Sequence, residues 1–392
     1  MLGRLTYDII TIMAAVTLNE LLKLTMDKDA SDLHLIAGLT PLVRIYGELT
    51  PLSAIPPINK DQLKDLLLGI LNNEQKKIFE EQMELDFSYF VEGLGRFRVN
   101  LHWEKKGIGA VMRVISARIP TPEQLGLPES VTNLTNLKNG LILVTGPTGS
   151  GKSTTLASLI NKINQERRLH ILTVEDPIEF VYTDNKSVIR QREVGAHTHS
   201  FAQALRHAMR QDPNVVMIGE MRDLETVSST VTMAETGHLA FATLHTCDAS
   251  QTIDRFIDVF PPYQQNQIRT MLSTSLRAVV CQQLVPCKGG VGRIAAREIL
   301  LVDAAISNMI REAKTPQLYQ IIQTSRASGM TTMEADLKRL YLAGKITAED
   351  AFKACNRPDA LKTLCPEIKA ELEHPGFNPN SPAFAPEIKT RF

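Results

Sequence analysis

The chain has 392 residues, 43 of them basic and 43 acidic, so it carries no formal net charge at neutral pH. At roughly 150 residues per domain the length implies two or three domains, and the even charge balance gives no support to a nucleic-acid or membrane-surface partner. Five cysteines with no C-x-x-C pair among them point to buried reduced thiols, not to a disulfide frame or a zinc site.

From the N-terminus, the first apolar stretch is Tyr7 to Val16. It contains Asp8 and is too short for a bilayer core of about 30 Å, and no small-residue cleavage site follows it. Residues 1–16 are therefore expected to be an extension without a folded role, and the chain to be soluble, with no direct membrane insertion. Thr17-Leu-Asn-Glu20 has the T-x-x-E form of a capping box, which opens an amphipathic helix over Leu21, Leu22, Leu24 and Met26.

The period then changes to two. Ser31 to Ile36, Leu42 to Tyr46, Leu85 to Phe90, Arg96 to Leu101 and Ile108 to Ile115 alternate with turn signals and read as strands. Lys60 to Leu71 and Glu74 to Gln82 read as helices between them. The expectation for 17–117 is an α+β domain with an antiparallel sheet.

Arg118 to Pro128 contains three prolines and Gly126 and is expected to be an inter-domain linker. From 129 to 302 the grammar alternates β and α, as in a mostly parallel sheet with helices on both faces. Strands are expected at 141–145, 169–174, 214–219 and 239–244, with helices at 153–165, 200–211, 223–236 and 263–282. From 303 to 373 helices are expected throughout, at 304–313, 316–325, 331–342, 347–355 and 358–372. Residues 374–392 carry four prolines and no apolar period, the pattern of a disordered tail.

Leu141 to Thr145 is a β-prone run that leads directly into Gly146-Pro147-Thr148-Gly149-Ser150-Gly151-Lys152-Ser153, which fits G-x-x-x-x-G-K-[ST]. The glycines let successive backbone N–H groups turn inward around phosphate oxygens. Lys152 brings a charge to the outer phosphates, Ser153 a hydroxyl for Mg²⁺, and the helix beginning here points the positive end of its dipole at the same place. Residues 146–154, ending at Thr154, are therefore the expected nucleotide-binding loop.

Three more clusters lie at expected strand ends. Thr173-Val-Glu-Asp-Pro-Ile-Glu179 supplies Glu175 and Glu179, carboxylates suited to orienting water or holding Mg²⁺. Val215 to Glu220 is an apolar strand ending in an acid, with Glu220 facing the metal and the terminal phosphate. Thr236-Gly-His238 to His245-Thr places one histidine at each end of a strand. That spacing excludes a close metal pair and suggests phosphate sensors, since an imidazole N–H can donate to phosphate. Arg96, Arg98 and Arg113 lie on expected strands of the first domain, where an arginine offered to another subunit's nucleotide would neutralise developing charge.

The ordered strings GPTGSGKSTT, ILTVEDPIEF, QREVG, DPNVVMIGEMRDLETV, AETGHLAFATLHT and TIDRFIDVFP resemble the secretion ATPase superfamily, and within it the retraction motors of type IV pili. The likeness runs from about Leu18 to about Asp359. It implies a RecA-like P-loop core, a smaller PAS-like α+β N-terminal domain and a helical C-terminal region. By the same resemblance Glu220 and Glu179 are required for hydrolysis, with Lys152 and His238 beside them. Ser153, Glu175 and Glu220 are the metal candidates, and His238, His245 and Arg255 the sensor candidates. ATP and Mg²⁺ are the implied cofactors.

The family further implies a homohexamer in which Arg96, Arg98 or Arg113 reaches a neighbour's nucleotide. It implies an inner-membrane platform protein of the PilC type as partner, with a second retraction ATPase as a further one, and a place at the cytoplasmic face of the inner membrane. Assembly and secretion members carry a tetracysteine zinc insertion, which this chain lacks. The helix Ala304 to Glu312 resembles the family's retraction motif but has Ser307 and Met309 where arginine and leucine are usual, and Lys105 and Lys106 also depart from the family pattern. A regulatory nucleotide-binding module and a polynucleotide translocase are the alternatives from other classes. The intact Lys152, Glu179 and Glu220 oppose the first, and the absence of a basic, aromatic stripe opposes the second.

Overall fold

The computed structural model describes residues 16–45, 48–115, 118–290 and 292–373. The expected extension up to residue 15 and the expected tail from 374 lie outside the described residues. The chain divides into two compact units, one up to residue 117 and the other from Arg118 onward.

The first unit opens with α1 (Leu18–Asp27). Its capping box is formed: Glu20 N–H donates to the Thr17 hydroxyl, and Thr17 N–H donates to the Glu20 carboxylate. There follow β1 (Asp32–Leu35), β2 (Leu42–Ile45), β3 (Glu48–Pro51), α2 (Lys60–Leu68), α3 (Asn73–Gln82), β4 (Glu84–Val91), β5 (Gly95–Glu104) and β6 (Gly107–Ile115). The six strands form one antiparallel sheet in the order β3-β2-β1-β6-β5-β4.

Alternation decides the faces of this sheet. Phe97, Val99 and Leu101 of β5 are fully buried with Leu33, Val43 and Met112, each such side chain contributing about 1.5–3 kcal/mol. Arg98 and Arg113 stand directly opposite one another on the other face. The edge strand β3 was not expected, because Glu-Leu-Thr-Pro is exposed throughout and has no apolar alternation to read.

The second unit contains α4 (Glu129–Thr132), β7 (Gly140–Thr145), α5 (Lys152–Glu166), β8 (His170–Glu175), β9 (Val188–Glu193), α6 (Phe201–Ala208), β10 (Val215–Ile218), α7 (Leu224–Glu235), β11 (Leu239–Leu244) and α8 (Ala249–Asp258). After these come α9 (Pro262–Ser275), β12 (Leu276–Pro286), β13 (Arg293–Leu301), α10 (Ala304–Arg311), α11 (Leu318–Thr324), α12 (Met333–Leu342), α13 (Ala348–Ala354), α14 (Pro358–Leu364) and α15 (Pro366–Leu372). The sheet order is β13-β12-β7-β11-β10-β8-β9. All neighbours are parallel except β13, which returns antiparallel to β12. This is a RecA-like P-loop core, with separate apolar clusters built on its two faces.

Three expectations are corrected here. The helix expected over 263–282 ends at Ser275, and Leu276 begins a strand whose residues are buried almost continuously. A strand covered on both faces has no period of two, so its apolar run resembles a buried helix. The helix expected over 358–372 is two helices, since Pro366 cannot continue the first one and opens the second instead. The segment 118–128 is also more than a linker: Leu127 is buried in the core beside α5, and Leu125 packs against the same cluster. Among the described residues no helix is long and apolar enough to cross a membrane.

Candidate nucleotide-binding and hydrolytic site

Because β7, β8, β10 and β11 run parallel, Thr145, Glu175, Ile218 and Leu244 all end at one edge of the sheet. Ligands bind at this carboxyl edge in open α/β sheets. The loop 146–151 leaves β7 there. Gly146 has φ +141°, and a Cβ on it would lie 2.1 Å from the Gln282 carbonyl oxygen, so only glycine fits. Gly151, at φ +84°, caps α5 without any side-chain hydrogen bond, which leaves the first-turn N–H groups for an anion.

Lys152 is 9% exposed and donates through Nζ to the carbonyls of Gly146 (2.8 Å) and Pro147 (3.0 Å). Burial pulls its pKa below the usual lysine value, while the charges of Glu220 and Glu179 push it back up. Both acids follow strands that end at this same edge, Glu220 after β10 and Glu179 after β8. Ser153 and Thr154 occupy the first turn of α5.

Glu220 follows β10 by way of Gly219. A Cβ on Gly219 would meet Cα of Glu175 at 3.2 Å, so the glycine permits the close approach of the two strand ends. The Glu220 carboxylate accepts from both arms of Arg222, Nε to Oε1 at 2.7 Å and Nη2 to Oε2 at 2.7 Å, while His245 Nε2 lies 2.8 Å from Oε1. The Arg222 hydrogen bonds hold its pKa below the usual carboxylate value, with His245 acting in the same direction. Glu220 is thus a fixed anion at neutral pH.

Glu175 and Glu179 take different parts. Glu175 is 6% exposed and accepts from the Thr173 hydroxyl (2.7 Å), from Gln191 Nε2 (3.3 Å) and from the Glu179 N–H (3.3 Å). Burial raises its pKa to about 7. These bonds make Glu175 a fastener of the 176–182 loop. The same loop is tied to β9, where Ile178 N–H donates to Glu193 and Tyr182 N–H to Gln191. Glu179 itself is exposed.

The structure separates the two histidines. His245 closes on Glu220, whereas His238 precedes β11, at the amino edge of the sheet, where its ring Nδ1 lies 3.0 Å from the Met233 carbonyl. A six-residue parallel strand carries these two positions to opposite edges of the sheet. Within this unit, therefore, the structure does not bring His238 to Glu220, Glu179 and Lys152. Arg255 lies in the last turn of α8 on its exposed side, and no hydrogen bond or ion pair joins it to the loop among the described residues. In the first unit, Arg113 donates Nε to Asp32 Oδ1 at 2.8 Å, and Arg44 lies 3.7 Å from Oδ2 of the same buried carboxylate. Arg96 and Arg98 share the outer face of that sheet.

Several residues of the site had no distinct sequence signal. Arg222 stands two positions after Glu220 and could have been found as an intra-loop partner of that acid. Gln282 lay inside the misread helix. It is 3% exposed and donates Nε2 to the Ser150 carbonyl at 2.6 Å, so it braces the loop from behind. Thr243 donates its hydroxyl to the Gly219 carbonyl and so ties β11 to the start of the Glu220 turn.

The family model described as type II/IV secretion system protein matches residues 92–353. A Pseudomonas aeruginosa protein named type IV pilus retractation ATPase PilT is 47% identical over 342 residues, covering 87% of this chain and 99% of the relative. A Neisseria gonorrhoeae twitching motility protein is 44% identical over 326 residues, covering 83% of this chain and 87% of the relative. Among solved structures, that of the pilus retraction motor PilT with bound ADP is similar at a TM-score of 0.84 and 46% identity. That likeness covers 89% of this chain and 99% of the other.

Proposed function

The chain belongs to the type II/IV secretion system protein family, and on that premise we propose that it is an ATP-hydrolysing motor that powers retraction of type IV pili and supports twitching motility. The observation that carries this reading is that the segments bearing the phosphate loop with Lys152, Glu220 and Glu179 all leave one edge of the parallel sheet.

Loop amides and the open N-terminus of α5 receive the phosphates. Lys152 exchanges two neutral carbonyls for charged phosphate oxygens, which make stronger hydrogen bonds. Glu220, ionised and held by Arg222 and His245, polarises the attacking water, and Glu179 orients water from the loop that follows β8. His245, bonded to Glu220, is placed to respond to the terminal phosphate. Mg²⁺ fits the donor set, because the Ser153 hydroxyl and the Glu220 carboxylate are hard oxygen ligands. When bound, it would neutralise charge between the outer phosphates.

In this reading six copies form a ring, and Arg96, Arg98 or Arg113 of one copy serves the nucleotide of the next. Arg113 would have to divide itself between Asp32 and that phosphate. The ring works at the cytoplasmic face of the inner membrane, passing its motion to a platform protein and operating beside a second retraction ATPase. The test is complementation of a strain that lacks the chain. Such a strain should keep its surface pili and lose twitching, regaining it with the wild type but not with Glu220→Gln. Unimpaired twitching in the deleted strain would contradict the reading.

A further inference from the structure

The phosphate loop rests on β12. In the parallel pairing with β7, Cys281 stands opposite Thr145, the last residue of its strand. Gln282 is therefore the first β12 residue beyond the end of β7, beneath the loop. Its backbone carbonyl is the atom that a Cβ on Gly146 would strike. Its side chain makes three bonds: Nε2 donates to the Ser150 carbonyl at 2.6 Å, while Oε1 accepts from the Thr155 hydroxyl at 2.8 Å and from Arg297 Nε at 3.2 Å. One amide thus holds the loop, the first turns of α5 and the next strand together.

Arg297 faces Gln282 across the β12/β13 pair and is 4% exposed. Its other guanidinium nitrogens donate to the carbonyls of Gly126 (3.2 Å) and Leu125 (2.9 Å). Asp336 accepts from the Arg297 backbone N–H at 2.9 Å. Burial lowers the Arg297 pKa to about 10, against the opposing charge of Asp336. A buried cation is costly to the fold unless its donors are met. Here Nε, Nη1 and Nη2 of Arg297 meet one side-chain amide and two main-chain carbonyls, and a planar guanidinium fixes all three directions at once.

We propose that Gln282 and Arg297 are positioning residues that tie the phosphate loop to the segment 118–128, through which the second unit joins the first, so that nucleotide bound at the loop changes the order of that segment. Phosphates that draw in the loop act on the Ser150 peptide and on α5, and Gln282 holds both. Arg297 carries the constraint onward to Leu125 and Gly126. Lysine cannot replace it, because a single ammonium has no rigid fork with which to reach the amide and both carbonyls. The inference rests on the nucleotide-binding reading of the loop.

Hydrogen exchange of the full chain tests it, with ADP as the probe and bound ADP measured in each sample. The amides of Leu125, Gly126 and Leu127 donate to Thr121, Glu123 and Pro122 within the segment, so exchange there reports its opening. In the wild type, saturating ADP should slow exchange at 125–127 by at least about threefold. In Arg297→Lys, with ADP again bound to saturation, that ratio should collapse toward one. A merely structural role would speed exchange equally with and without ADP and preserve the ratio, and such a result overturns the proposal. If Arg297→Lys does not fold, Gln282→Asn carries the test, since a side chain one methylene shorter cannot span Ser150, Thr155 and Arg297. An ADP effect in that variant equal to wild type also overturns the proposal. Failure of the wild type to bind ADP would overturn the nucleotide-binding reading itself, and this inference with it.

Discussion

His245 Nε2 lies 2.8 Å from Oε1 of Glu220, so the segments that leave β11 and β10 meet at one carboxylate. Removing a hydrogen-bond donor to a charged group costs about 1.5–3 kcal/mol. His245→Ala should therefore lower ATP turnover by roughly ten- to a hundredfold, with a much smaller change in ADP affinity. Steady-state turnover beside a nucleotide titration checks this, and an equal loss in both would assign His245 to binding alone.

Arg222 makes the largest contribution to holding the Glu220 pKa down. Ionised Glu220 is the active form, so activity is present above its pKa and lost as pH falls through it. Arg222→Ala moves that pKa upward, and the acid limb of the turnover profile should shift to higher pH with it. An unmoved limb would mean that another group governs it.

Gly146→Ala places a carbon 2.1 Å from a backbone oxygen, at a φ of +141°. Backbone strain of this kind costs about 1–3 kcal/mol even where space exists, and here there is none. ADP affinity should fall by at least about tenfold, while far-ultraviolet circular dichroism stays that of the wild type. Binding within about twofold of wild type would show that the loop does not need its contact with β12.

Glu298 on β13 is 2% exposed and accepts from the Ala249 N–H at the start of α8. Burial lifts its pKa to about 7, with Asp248 and Glu334 adding to the rise, and the Ala249 hydrogen bond and Arg357 opposing it. A carboxyl whose folded pKa lies above its unfolded value binds more protons in the folded state. Stability is then lost as pH rises from about 4.5 to about 7, by on the order of 3 kcal/mol at the upper end. Glu298→Gln keeps the acceptor for Ala249 without the charge. It should match the wild type near pH 4.5 and melt a few degrees higher at pH 8. A melting difference independent of pH would contradict the assignment.

The sequence showed the core of the site because phosphate chemistry demands unusual strings: a glycine loop ending in Lys152 and Ser153, and acids directly after apolar strands. It showed the first unit's sheet because β5 alternates Phe97, Val99 and Leu101 with Arg96, Arg98 and Asn100. It did not show β12, whose buried residues lack a period, and with β12 went Gln282, although that residue braces the loop. His238 and His245 looked equivalent as a pair flanking one strand. Only the direction of β11 in a parallel sheet decides which of them reaches the carboxyl edge. The hydrogen bonds of Glu175 to Thr173, Gln191 and Glu179 were not legible, because they depend on β9 and on the fold of the 176–182 loop, neither of which its neighbours in sequence disclose.

The proposed function requires that this chain hydrolyse ATP as a ring with Glu220 at the reacting phosphate. The most direct measurement is ATP turnover together with mass in solution, for the wild type and for Glu220→Gln. Turnover by a six-subunit species is expected, and in the variant the same mass and retained ADP binding with turnover reduced by at least about a hundredfold. A variant that turns over ATP like the wild type, or a wild type that remains a monomer while hydrolysing at full rate, would contradict it.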